Sequence, residues 1–115
     1  MAGISQQAVF SAFIRNGQSQ SDDLDLGAYR LVGLSIPATF EPTTVSFLTS
    51  FDGATWNPVF DASGIEVTVS VGTNRRVALN PATFYGLKWV RIRGGTASSP
   101  TTVAADRTVR LIAEA

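Results

Sequence analysis

The chain has no cysteine and no histidine, and each absence removes a body of chemistry. Without thiols there are no disulfides, thiolate nucleophiles, iron–sulfur ligands or thiolate zinc sites. Without imidazole there is no Ser–His–Asp or Cys–His arrangement, no imidazole metal ligand and no ordinary general base near neutral pH. An excess of one charge is missing too: nine Lys+Arg balance nine Asp+Glu, for a formal net charge of zero. Nucleic-acid-binding domains usually carry a concentrated basic excess, so no nucleic-acid partner is expected. Lysine itself is nearly absent, with one Lys against eight Arg. Arginine suits interfaces because its planar fork binds carboxylates bidentately and is weakly hydrated, although a GC-rich genome produces the same bias. No apolar run reaches the roughly 20 residues of a membrane span, and no membrane partner is expected. The start, Met1-Ala2-Gly3-Ile4-Ser5-Gln6-Gln7, lacks the basic and apolar regions of a signal peptide, and Gly3 is misplaced for myristoylation. Synthesis in a cytoplasm is expected.

What is present points to β structure. The length of 115 residues is that of one ordinary domain, and about two-thirds of the extended chain's surface can be buried at this size. Ser and Thr supply 23 residues and Val 11, a composition of pleated, half-buried surfaces. Turn signals recur at short intervals: Asn16-Gly17, Gly27, Pro37, Asp52-Gly53, Ser63-Gly64, Gly72, Asn80-Pro81, Gly94-Gly95 and Pro100. Short strands punctuated this way predict an all-β fold, a jelly-roll-like β-sandwich of about eight mostly antiparallel strands. Neither a repeat nor a charge run divides the chain, so residues 1–115 read as a single domain, with 1–27 a segment suited to contacting a partner or sister subunit.

The strands follow from alternation. Gln7 to Ile14 places Val9, Ser11 and Phe13 on one face and Phe10, Ala12 and Ile14 on the other, apolar on both sides. Gln18 to Asp25 is polar and reads as a loop. Strands are predicted at Ala28–Ile36, Thr44–Phe51, Thr55–Phe60, Ile65–Val71, Arg75–Leu79, Leu87–Arg93 and Arg107–Ala113. Asp52-Gly53 reads as a two-residue type I′ hairpin turn. In Ile65–Val71 the residues Ile65, Val67, Val69 and Val71 are expected inward, with Glu66, Thr68 and Ser70 outward. One helical turn is predicted at Pro81 to Tyr85, capped by Asn80 with Pro81 in the first position.

The stretch Ser46 to Trp56, a strand ending Ser-Phe-Asp-Gly with Trp three residues after the Gly, resembles a hairpin of discoidin-like (galactose-binding-like) jelly rolls. Lys88-Trp89-Val90-Arg91-Ile92-Arg93 and Val109 to Glu114 resemble that family's late strands. The family's typical structural Ca²⁺ site is unmatched, and no cofactor is expected. The chain as a whole, with Leu34-Ser35-Ile36-Pro37-Ala38-Thr39-Phe40-Glu41-Pro42 leading into that hairpin, resembles small capsid decoration (cement) and fibre-associated proteins of tailed bacteriophages. That resemblance implies a virion protein on the capsid surface, with the major capsid protein as partner. It also implies a homo-oligomer, a trimer before a dimer.

Asp22, Asp23 and Asp25 offer oxygen ligands for Ca²⁺, but they lack EF-hand spacing and read better as a solvated acidic loop. Asp52 is sufficiently explained as a turn residue. Asp52, Asp61 and Glu66 supply carboxylates, but nothing selects a pair for glycoside hydrolysis. In Lys88–Arg93, Val90 and Ile92 are expected to face the core, turning Trp89, Arg91 and Arg93 outward as an aromatic–Arg face of the kind enriched at protein contacts. Trp56 is expected to pack at the hairpin base within the core. Arg75 and Arg76 are adjacent and point to opposite faces, so they form no joint phosphate grip. The candidate contact residues are therefore Val9, Phe10, Phe13, Ile14, Trp89, Arg91 and Arg93. No catalytic residue is assigned and no enzymatic activity is expected. Capsid decoration is the leading reading, and a carbohydrate-binding module or fibre or tail component recognising a cell-surface glycan is the alternative.

Overall fold

The structure, a computed structural model, describes residues 6–115. The expectations that rest on residues 1–5, including the first part of the 1–27 segment, lie outside the described residues. Among the described residues nine strands run in chain order: β1 (Gln7–Ile14), β2 (Leu24–Asp25), β3 (Arg30–Ser35), β4 (Thr44–Ser50), β5 (Asn57–Pro58), β6 (Thr68–Ser70), β7 (Arg76–Ala78), β8 (Trp89–Gly94) and β9 (Arg107–Glu114). A single 3₁₀ turn, Pro81–Phe84, lies between β7 and β8, and the Asn80 side chain accepts from the Ala82 N–H as the sequence predicted.

One sheet has the order β1-β9-β3-β7 and the other β2-β8-β4-β5, with β6 also paired to β4. Every pairing between these strands is antiparallel. β5 and β6 lie end to end along β4, pairing Leu48 with Pro58 and Val45 with Val69. Counted as one interrupted strand, they make eight strands. Successive strands then alternate between the sheets except at the β4–β5 hairpin, the connectivity of a jelly-roll sandwich.

The period-two pattern explains which residues meet. From the first sheet, Ala12, Ile14, Leu31, Leu34, Val109, Leu111 and Ala113 are wholly buried. Val45, Phe47, Val90 and Ile92 of the second sheet join them in one apolar core. The 3₁₀ turn delivers Phe84 edge-on to Phe47, ring centroids 4.9 Å apart, a favoured aromatic geometry.

Several local expectations are corrected. Leu24 and Asp25, inside the predicted polar loop, form β2 against Val90 and Trp89, because the loop turns back along the exposed edge of β8. The Asp52-Gly53 hairpin exists, but not as a type I′ turn. Gly53 has φ 76° while Asp52 does not have positive φ, and the loop spans residues 51–56 between the strand ends. The Asp52 carboxylate organises it by accepting the Ala54 and Thr55 N–H groups, both at 2.9 Å. The run Ile65–Val71 does not alternate throughout: Ile65 is exposed and Glu66 turns in toward Arg93. A tight turn, with Asp61 Oδ1 accepting from the Ser63 and Ile65 N–H groups, closes this end onto a bridge between Phe60 and Glu66.

Candidate functional site

The predicted contact residues separate into two groups by burial. On β1, Ala12 and Ile14 are wholly buried and Phe10 packs against the core, so Phe10 and Ile14 are committed to the fold. Ile14 has no surface to offer a partner. Val9 is 60% exposed and Phe13 half-buried on the outer face, with the Arg15 guanidinium 5.1 Å from its ring centroid. The apolarity of both faces of β1 thus has two origins: the core on one side and an open sheet face on the other.

On β8, Val90 and Ile92 face the core as expected, wholly buried. The opposite face does not present Trp89, Arg91 and Arg93 together. Arg93 is buried, donating from Nη2 to Glu66 Oε2 at 2.6 Å and from Nε to Ser46 Oγ at 3.0 Å. Glu66 reaches it from the segment just ahead of β6. Glu66 also accepts the Ala97 N–H, so this pair holds the 95–100 loop against the sheet. Arg91 bonds Asp23 at 2.5 Å and lies 4.2 Å over the Trp56 ring. Trp56 is therefore on the outer face beneath Arg91, outside the apolar core, and its buried Nε1–H has no partner among the described residues. Gly53 lies against the six-membered ring of Trp89: a Cβ there would be 3.5–3.6 Å from three of its atoms. The protein's own groups thus cover both indoles.

The acidic loop is likewise distributed. Asp22 pairs with Arg15, Asp23 with Arg91, and Asp25 accepts the Gly27 N–H. Among the described residues there is no group of three acids placed to hold a metal ion. Arg107 grips Glu41 bidentately, at 3.2 and 2.6 Å. That hydrogen-bonded pairing holds the Glu41 carboxyl at about 2, below its usual 4.5, and raises Arg107.

Four arginines thus have acid partners. Arg30, Arg75, Arg76 and Arg110 have none within ion-pair distance among the described residues, and of these Arg76 and Arg110 lie together on the outer face of the β1-β9-β3-β7 sheet. The register explains why they are together: Arg110 is opposite Ser11 and Ser35, and Ser35 is opposite Arg76. The next row places Val9 beside Ile112, Gly33 and Ala78. Small residues at Gly33, Ser35 and Ala78 leave a shallow groove of about 410 Å³, lined by Gln7, Val9, Ser35, Arg76, Arg110 and Ile112. It continues past Ser35 and Arg110 to Pro37, Thr39, Asp106 and Thr108. An apolar strip beside two guanidinium groups without ion-pair partners is a surface suited to protein contact. Val9 was legible in the sequence. Arg110 and Ile112 were missed although they alternate with Val109, Leu111 and Ala113, which is the signal for an outward face.

The fold and this face define a compact jelly-roll sandwich with an exposed apolar–Arg sheet surface. In a comparison with solved structures the chain is similar to the crystal structure of the SPBc2 prophage-derived protein YomS. The identity is 16%, the TM-score 0.61, and the match covers 100% of this chain and 98% of that one. At that identity the likeness establishes the shared fold. No protein-family model and no curated protein sequence matches the chain.

Proposed function

We propose that the chain is a phage virion protein that decorates the capsid, attaching to the major capsid protein and stabilising the shell by bridging its subunits. The observation that carries this reading is the acid-free Arg76–Arg110 pair beside exposed Val9 and half-buried Ile112. A sheet face of that composition is suited to protein contact, and it belongs to a small sandwich tied together by four ion pairs. The prophage origin of a protein sharing the whole fold supports the phage setting. In this reading the chain works by contact and not by turnover: many copies on a lattice make modest individual contacts add up to firm attachment.

The glycan-binding alternative receives less support from Trp89 and Arg91. A sugar needs a free aromatic platform, whereas Trp56 is capped by Arg91 and Trp89 is flanked by Gly53. Exposed Tyr85 likewise carries Arg30, 4.3 Å over its ring.

The test is co-sedimentation of the purified chain with heads, and separately with tails, from the phage that encodes it. Decoration predicts saturable binding to heads at a fixed ratio to the capsid protein. Binding confined to tails, or to neither, refutes it.

A further inference from the structure

The surface that complements this groove is carried by the same chain. Phe51 has its entire side chain in solvent, with a relative exposure of 101%. An aromatic ring so placed forgoes the burial that ordinarily rewards it. The loop that carries it is firmly braced. Asp52 Oδ1 accepts from Ser50 Oγ and from the Ala54 and Thr55 N–H groups, each at 2.9 Å, and Ser50 Oγ accepts the Gly53 N–H. Gly53 is backed by Trp89. A ring held out on a preorganised loop loses little freedom on binding, the property of an interface anchor. The same hydrogen bonds, those of Thr55 and Ala54 first, keep the Asp52 carboxyl at about 2, below its usual 3.8. Its Oδ2 takes none of them. Asp25, opposite Trp89 in the register, and Lys88, 5.8 Å from the Trp89 ring, offset each other nearby, so this tip is acidic overall. The groove is basic at Arg76 and Arg110 and apolar at Val9 and Ile112. Tip and groove share no residue, so one copy can present both at once.

We propose that the chain associates head to tail, Phe51 of one copy seating over the Val9–Ile112 pair of a second, with Asp52 facing Arg76 and Arg110. The proposal deepens the decoration reading, and rests on it in taking the chain to be an assembling protein. Because tip and groove are different surfaces, the contact is heterologous, and successive copies close into a ring when the rotation permits.

Sedimentation equilibrium tests it. The parent chain's average mass rises with concentration, while Phe51→Ala and Arg110→Glu each weaken association at least about tenfold. Both side chains are exposed, so circular dichroism and thermal melting of the variants match the parent, and Phe51→Ser and Arg110→Gln serve as second substitutions. The discriminating arm is the mixture. Arg110→Glu supplies an intact tip and Phe51→Ala an intact groove, so together they form a one-to-one dimer and nothing larger. Phe60→Ala removes a second Phe-Asp loop residue, 52% exposed, and leaves assembly unchanged. A parent chain that stays monomeric overturns the proposal. So do a mixture that stays monomeric while the parent assembles, assembly abolished by Phe60→Ala but not by Phe51→Ala, and full assembly of Phe51→Ala. A chain that associates through these residues yet leaves phage heads bare defeats the decoration reading alone. One that coats heads while Phe51→Ala assembles normally defeats this contact alone.

Discussion

Replacing Glu66 by Gln tests whether the outer face of β8 is held by a buried ion pair. The Arg93 side chain is 6% exposed and that of Glu66 14%. Three interactions depend on the pair: the 2.6 Å Arg93–Glu66 bond, the 3.0 Å bond from Arg93 to fully buried Ser46, and the Ala97 N–H donated to Glu66. Removing the carboxylate charge leaves a guanidinium enclosed without a counterion, a loss of about 3–5 kcal/mol. Domains have about 0.05–0.15 kcal/mol of stability per residue, or roughly 6–17 kcal/mol for a chain of 115 residues. The substitution therefore removes a large fraction of the total and lowers the melting temperature by on the order of 10–20 °C. Urea unfolding of Glu66→Gln, Arg93→Met and the double variant measures it. Each single change is costly. The double change costs less than their sum by about 2 kcal/mol or more, because it leaves neither charge orphaned. A Glu66→Gln loss below about 1 kcal/mol, or strict additivity, would refute the reasoning and return Arg93 to the solvent-facing role its alternation suggested.

Three further outcomes are expected. Glu41 and Asp52 have folded pKa values of about 2, below their usual 4.5 and 3.8, so their contribution to stability is full above those ordinary values and is lost as pH falls through about 2; Glu41→Gln with Asp52→Asn flattens the acid limb of stability against pH, and an unchanged limb contradicts the assignment. Gly94→Ala places a Cβ 2.6 Å from both Pro42 Cγ and the Thr101 carbonyl oxygen, so it destabilises by about 2 kcal/mol or more in denaturant unfolding, whereas a loss under about 0.5 kcal/mol shows that the 95–101 loop moves aside freely. Trp56→Phe removes a buried N–H that lacks a partner, and relief of that penalty offsets the lost ring area; stability stays within about 1 kcal/mol of the parent, and a larger loss reveals an acceptor for Nε1.

The elements that were legible are those whose signal is local. β8 and β9 follow from alternation, β1 from a short run apolar on both faces, and the 3₁₀ turn from Asn80-Pro81. β2 was missed because two residues carry no period and pair only where an open edge of β8 meets them. The Asp52-Gly53 pair announced a hairpin correctly, yet its length depended on the carboxylate bonding its own loop instead of adopting positive φ. In the candidate site, Val9 and the outward sense of β8 could be read from spacing. The covering of Trp56 by Arg91 could not, since those residues are brought together by the loop between β4 and β5, which places Trp56 beneath Arg91 of β8.

Composition and period two were enough to determine an all-β sandwich, the inward pair Val90 and Ile92, and the absence of thiol and imidazole chemistry. These depend on residue type and on the backbone's alternation, which act within a few residues. Which arginines are spent and which are free was decided only by the tertiary structure. Arg91 and Arg93 share a face with Trp89 in the sequence pattern, but a carboxylate from a distant segment meets each of them, Asp23 and Glu66. Arg76 and Arg110 belong to strands separated by the whole of the 3₁₀ turn and β8, and become neighbours of Ser35 because β3 lies between β7 and β9. Charge pairing is a property of distance in space, and strand order sets that distance.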